Sequence, residues 1–156
     1  MKLIQVNQAA PSLLSGELKS FEQVFYLVRK LLLKMRIRNK DLLKSSKEIT
    51  VVFLTSTEMK KINKKFRGIN KPTDVLSFAG DHKISLGELL ICDSVLKLQA
   101  KEQGHGLNSE RAYMLIHGIL HLLGYDHELS QKEEKLMFSI QDRCFVQLSQ
   151  VAAKYL

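Results

Sequence analysis

His117-Gly118-Ile119-Leu120-His121-Leu122-Leu123-Gly124-Tyr125-Asp126-His127 is the stretch around which the chain is organised. It holds three of the five histidines in 156 residues. His117 and His121 stand four apart, so on a helix they lie one turn above each other on the same face. Ile119, Leu120, Leu122 and Leu123 turn the other faces toward a core. Gly124 comes three residues after the second histidine, where a left-handed conformation can end the helix. The chain then turns back and carries His127 toward the first two rings. Three imidazoles converge, with room for a fourth ligand. Three protein ligands plus an open position is the form of a catalytic zinc site; structural sites are usually closed by four ligands and rely on cysteine.

One histidine on an apolar helix is usually a packed core or surface residue, and a pair at i and i+4 arises by chance. Three of them, with a glycine where the helix must break, make metal binding the preferred reading. Zinc, one ion per chain, is the first choice because imidazole suits it; nickel, copper and iron share that ligand preference. Histidines at positions one, five and eleven with glycine at eight also space the metal ligands of metzincin proteases. There the second position is a glutamate, the general base, and here it is Gly118. The cage without that base argues against peptide hydrolysis by the same route.

Outward from this stretch, length bounds the chain to one domain, residues 1–156, large enough to bury a proper core. Cys92 and Cys144 lie far apart, outside any CxxC pattern, and read as buried thiols in a reducing compartment. Leu31 to Leu33 is soon followed by Lys34 and Arg36, so no apolar run suffices for a membrane span. Met1 to Val6 lacks the apolar core of a signal peptide, and the expectation is a cytoplasmic protein. The net charge of +8 favours a polyanionic partner, nucleic acid first. A generally basic, solubilising surface is the plainer explanation of the same number.

Periodicity places the elements. Lys2 to Asn7 reads as a strand, and Pro11 to Gly16 as a loop. Ser20-Phe21-Glu22-Gln23 offers a capping box for a helix to about Arg36, with Phe21, Val24, Phe25, Val28, Leu31, Leu32 and Met35 on its core face. Lys40 to Lys47 is polar and reads as a loop. Glu48 to Leu54 is a buried strand. Thr55-Ser56-Thr57-Glu58 is a second capping box, opening a helix that ends at Arg67-Gly68. Val75 to Ala79 and Ile84 to Cys92 form a hairpin. Asp93 caps a helix to about Gln103, and Asn108 caps the helix with the histidines. Ser130-Gln131-Lys132-Glu133 opens a last helix to about Ala153, its apolar face formed by Leu136, Met137, Ile140, Cys144, Phe145 and Leu148. The order predicts an α+β domain: a mostly four-stranded mixed sheet covered by about five helices, with the metal site on a helix and the loop after it.

A second constellation is the basic run Lys60-Lys61-Ile62-Asn63-Lys64-Lys65-Phe66-Arg67-Gly68-Ile69-Asn70-Lys71. A lysine-rich helix is usually a solvated face. Arg67 differs, because it sits at a helix end beside glycine, where a loop can present it to a cleft. Its guanidinium can grip a phosphate oxygen pair and stabilise charge developing on phosphate. Thr73, Asp74 and Ser77 read as local hydrogen-bonding groups that hold the loop and strand start.

Three segments together resemble the YbeY family of bacterial endoribonucleases, also called ribosomal RNA maturation factors. They are Phe66 to Phe78 (FRGINKPTDVLSF), Leu86 to Cys92 (LGELLIC) and His117 to His127. The similarity runs in order from about Val51 to Ser139 and is weak in the first 45 residues. Glu88 stands where the family commonly has Asp, a change that keeps the charge. The resemblance implies an α+β fold with a zinc-like metal on His117, His121 and His127, and places the family's functional arginine at Arg67. It implies metal-dependent cleavage of single-stranded RNA. It also implies partners in ribosomal RNA and the small ribosomal subunit, with a part in 16S 3′-end processing and ribosome quality control. Arg67, His117 and His121 are the candidate catalytic residues. The proton acceptor stays open among Asp126, the activated water alone and the RNA 2′-hydroxyl; Asp126 can equally orient a histidine ring. Phe78 and Tyr125 are candidates for base stacking, with core packing the plainer role for Phe78. Two other readings fit the same residues. One is another metallohydrolase on the three-histidine cage, and the other is a non-catalytic ribosome-associated RNA-binding factor with a structural metal.

Overall fold

Apolar and β-branched runs form the first strand, β1 (Lys2–Asn7). The computed structural model describes residues 1–7 and 15–156. Helices α1 (Ser15–Lys34) and α2 (Lys40–Ser45) precede β2 (Glu48–Phe53). Next come α3 (Ser56–Arg67), β3 (Val75–Ala79) and β4 (Ser85–Ile91). Helices α4 (Asp93–Gln103), α5 (Leu107–Leu122) and α6 (Gln131–Ala152) follow, closed by a 3-10 turn at Ala153–Tyr155. The strands make one sheet in the order β1-β2-β4-β3. β1 and β4 run parallel to β2, and β3 lies antiparallel to β4 at the edge. The fold is the expected α+β class; among the described residues a mixed four-stranded sheet is accompanied by six α-helices where about five were expected.

Side chains alternate across the pleat and so divide between two cores. Ile49, Val51 and Phe53 of β2, with Leu89 and Ile91 of β4, enter the larger one. There they meet Phe25, Val28 and Leu32 of α1, Leu115 and Ile119 of α5, and Met137 and Cys144 of α6. Val52, Leu76 and Leu90 point to the opposite face, where Met59 of α3 covers them. Strands buried on both faces read as nearly continuous apolar runs, which is why β2 and β4 were plain in the sequence.

Ten of the sixteen residues of α5 are buried, so it is a core helix without a solvent stripe. Gly118 lets it lie close on β4: a Cβ there would come within 2.8 Å of a Leu89 methyl carbon. The position that carries the base in metzincins is therefore taken up by the sheet. Gly118→Ala is expected to destabilise by roughly 1–3 kcal/mol through overpacking. A urea titration should show a lower midpoint at unchanged slope.

Several boundaries differ from expectation for identifiable reasons. α1 begins at Ser15, not after Ser20, whose hydroxyl donates back to the Gly16 carbonyl at 3.0 Å inside the helix. Of the expected loop Pro11 to Gly16, residues 11–14 lie outside the described residues, and Gly16 is helical. Lys40 to Ser45 is a helix and not a loop, because Leu43 is fully buried and tertiary packing outweighs the polar composition. Asp93 and Asn108 do not cap their helices. Both are drawn to the buried Arg111, Asp93 through both carboxylate oxygens and Asn108 Oδ1 at 3.0 Å. A guanidinium removed from water needs such partners. Leu136 is 40% exposed and not part of the α6 core face; the fully buried Gln141 is. Thr55 and Glu58 do form the reciprocal capping box of α3, and Gly68 ends that helix in the left-handed region at φ 72°. Cys92 and Cys144 are free and buried, and burial pushes the Cys144 thiol up to about 12. Among the described residues, no helix is long and apolar enough to cross a membrane.

Candidate metal centre

His117 and His121 occupy the last turns of α5. Gly124 takes φ 86°, and its N–H closes on the His121 carbonyl at 2.9 Å while the Tyr125 N–H reaches the Leu120 carbonyl at 3.0 Å. The reversal returns His127 to the helix end. One ring nitrogen from each of His117, His121 and His127 lies within 4.8 Å of the others.

The donor set can be tested for a cation from its hydrogen bonds. Gln141 Nε2 donates to the Tyr113 carbonyl at 3.3 Å, which turns Oε1 toward His117 Nδ1 at 3.0 Å. Oε1 only accepts, so His117 carries its proton on Nδ1. His121 Nδ1 lies 2.9 Å from the Tyr125 carbonyl, again only an acceptor, and is protonated for the same reason. Burial, the largest cause, pushes the pKa of both histidines down and so favours the neutral rings. Their Nε2 lone pairs then face each other at 3.0 Å. Two facing lone pairs repel unless a cation lies against them, so the residues present fit a metal. His127 has no hydrogen-bonded partner among the described residues; the Phe138 ring packs on it with centroids 5.7 Å apart.

The turn between His121 and His127 is clamped from distant chain segments. Arg38 Nη1 donates to the Gly124 carbonyl at 2.8 Å, and both Arg38 terminal nitrogens reach Glu133 at 3.0 Å. The Arg38 N–H donates to the Tyr125 hydroxyl at 2.7 Å, and Asn39 Nδ2 to the Leu123 carbonyl at 3.0 Å. Ser130 Oγ accepts the Glu133 N–H at 3.2 Å, the expected cap, but the Glu133 carboxylate serves Arg38.

A cleft of about 800 Å³ opens over the three histidines and is also lined by Arg67, Ser77 and Glu128. Arg67 thus shares the cleft, paired with Glu128 at 2.8 Å. Asn63, buried in α3, donates to the Lys71 carbonyl at 2.8 Å and holds the loop after the helix. Asp74 Oδ1 accepts from Thr73 and the Val75 N–H, and Ser77 donates to the Gly118 carbonyl at 3.5 Å. Two expectations are corrected. Among the described residues Asp126 makes no hydrogen bond to a histidine: its Oδ1 accepts the Glu128 N–H at 2.9 Å, and the Tyr125 carbonyl orients His121 instead. Tyr125 is only 3% exposed, fixed by Arg38, and offers no stacking face.

Sequence reading missed Gln141, Arg38 and Asn39. Gln141 left a signal, a lone amide on the apolar face of α6 between Met137 and Cys144; Arg38 and Asn39 left none, since their role arises only in three dimensions. Gln141→Leu is expected to weaken metal binding about 10–100-fold by freeing the His117 ring. Competition against a chelating dye would measure it, and unchanged affinity would remove Gln141 from the site.

Fold and site together define an α+β protein with a three-histidine group of the composition that binds metals. A sequence profile described as Endoribonuclease YbeY matches residues 16–149, and the chain belongs to the YbeY family. It is similar to the endoribonuclease YbeY of Bdellovibrio bacteriovorus, 51% identical over 122 residues covering 76% of this chain and 81% of that one. Its likeness to the Persephonella marina endoribonuclease YbeY is 47% over 104 residues, covering 63% and 68%. Among solved structures, TM1509 from Thermotoga maritima matches with TM-score 0.63 and 26% identity over 98% of this chain and 93% of that chain.

Proposed function

We propose that this protein is a zinc-dependent, single-strand-specific endoribonuclease of the cytoplasm. Its substrate is the 3′ end of 16S ribosomal RNA on the small subunit, and its role is ribosome maturation and quality control. The observation that carries the reading is that the three-histidine group and Arg67 line one cleft. Relatives named endoribonuclease support it.

His117, His121 and His127 would hold the metal, which when bound supplies Lewis-acid chemistry toward water and a phosphoryl oxygen. Arg67 binds the scissile phosphate, exchanging the Glu128 carboxylate for phosphate oxygens. The lysines of α3 and its loop guide the strand. Gln141 and the Tyr125 carbonyl keep the two helix-borne rings in one tautomer, so their free nitrogens face the cleft.

The test is the purified protein on labelled single-stranded RNA and on the same sequence as duplex, with and without chelator. The expected result is about one zinc per chain, cleavage of the single strand alone, loss with chelator, and recovery on adding zinc. Cleavage that persists in excess chelator would sink the reading. RNA binding without cleavage favours a non-catalytic ribosome-associated factor. Casein cleavage without nuclease activity favours a different hydrolase on the same cage.

A further inference from the structure

Phe66 stands out on the surface of α3. It is 58% exposed although it is a large aromatic residue immediately before Arg67. Its ring stands edge-to-face on Phe78 of the edge strand β3, centroids 5.0 Å apart at 67°. It is therefore held in place rather than loose. Lys65 Nζ lies 5.3 Å from its centroid.

The surroundings are strongly basic. Within α3 lie Lys60, Lys61, Lys64, Lys65 and Arg67, with Lys71 in the loop beyond. The only carboxylate of the helix, Glu58, is tied to Thr55 in the capping box. Among the described residues, no carboxylate lies within ion-pair distance of any of these lysines. A steadied aromatic among lysines that make no salt bridge suits a polyanion that also carries flat apolar groups. Single-stranded RNA is that polymer: lysines take the phosphates and an unpaired base lies on the ring.

We infer that Phe66 is a stacking platform for an unpaired base next to the phosphate held by Arg67, and that it contributes to preference for single strands. The inference rests on the nuclease reading and extends it around the β3 edge, outside the cleft. A base within a duplex is already stacked and cannot lie on the ring, whereas the phosphate contacts of Arg67 and the lysines do not distinguish the two forms.

The chain contains no tryptophan, so Phe66→Trp places a single reporter at the site. The metal-loaded protein is titrated with a fluorescein-labelled, cleavage-resistant phosphorothioate oligouridine and with an abasic strand of the same length. Phe66→Ala is expected to weaken binding of the oligouridine about tenfold and to leave the abasic strand unchanged. Phe66→Trp is expected to keep wild-type affinity, with emission quenched by the oligouridine only. If the wild type binds and Phe66→Ala binds the oligouridine equally well, the stacking inference falls and the nuclease reading stands. If the wild type binds neither strand, the nuclease reading falls and takes this one with it. A change in tryptophan emission on raising protein concentration alone would assign the ring to a contact between copies and overturn the inference.

Discussion

His121→Ala is expected to strip the metal that the proposed site would hold and, with it, cleavage of single-stranded RNA. The expected loss is on the order of a thousandfold or more, since Lewis-acid stabilisation is worth several kcal/mol and each 1.36 kcal/mol is tenfold. His121 is positioned for the role: its Nδ1 is anchored on the Tyr125 carbonyl and its Nε2 sits 3.0 Å from that of His117. Mass spectrometry under native conditions reads the metal, and a gel assay reads the cleavage. Circular dichroism confirms that the variant folds, and His121→Asn supplies a second variant of smaller volume change. Full cleavage by a metal-free, folded His121→Ala protein would place the activity elsewhere.

Arg67→Ala separates chemistry from metal binding. It should leave metal binding unchanged, because Arg67 pairs with Glu128 and, among the described residues, makes no hydrogen bond to a histidine. It should lose about 10²–10³ in the cleavage rate, the usual cost of removing one donor aimed at developing charge. Stability should hardly change, since an exposed ion pair contributes roughly 0–1 kcal/mol. Arg67→Lys keeps the charge but not the planar fork, and should recover only part of the rate. Equal loss of metal and activity in Arg67→Ala would reduce the arginine to a structural support.

Much of this was legible because the residues concerned act locally. The spacing of His117, His121 and His127 around Gly124 fixes a helix, a break and a return within eleven residues. Thr55 with Glu58, and the apolar runs of β2 and β4, announce themselves equally. What stayed hidden depends on partners far away in sequence. Asp93 and Asn108 looked like caps until the buried Arg111 claimed them. α2 looked like a loop because its packing rests on two leucines in a polar run, Leu43 buried and Leu42 partly so. Tyr125 looked like a stacking ring because its exposure is decided by Arg38, 87 positions away.

The clamp on the metal turn has a consequence for how the protein is made. Synthesis delivers Arg38 and Asn39 before the three histidines, and Glu133 and Gln141 after them. A growing chain thus carries the three histidines before it has the α6 side of the clamp, and the turn is locked and the His117 ring set only once Glu133 and Gln141 have followed.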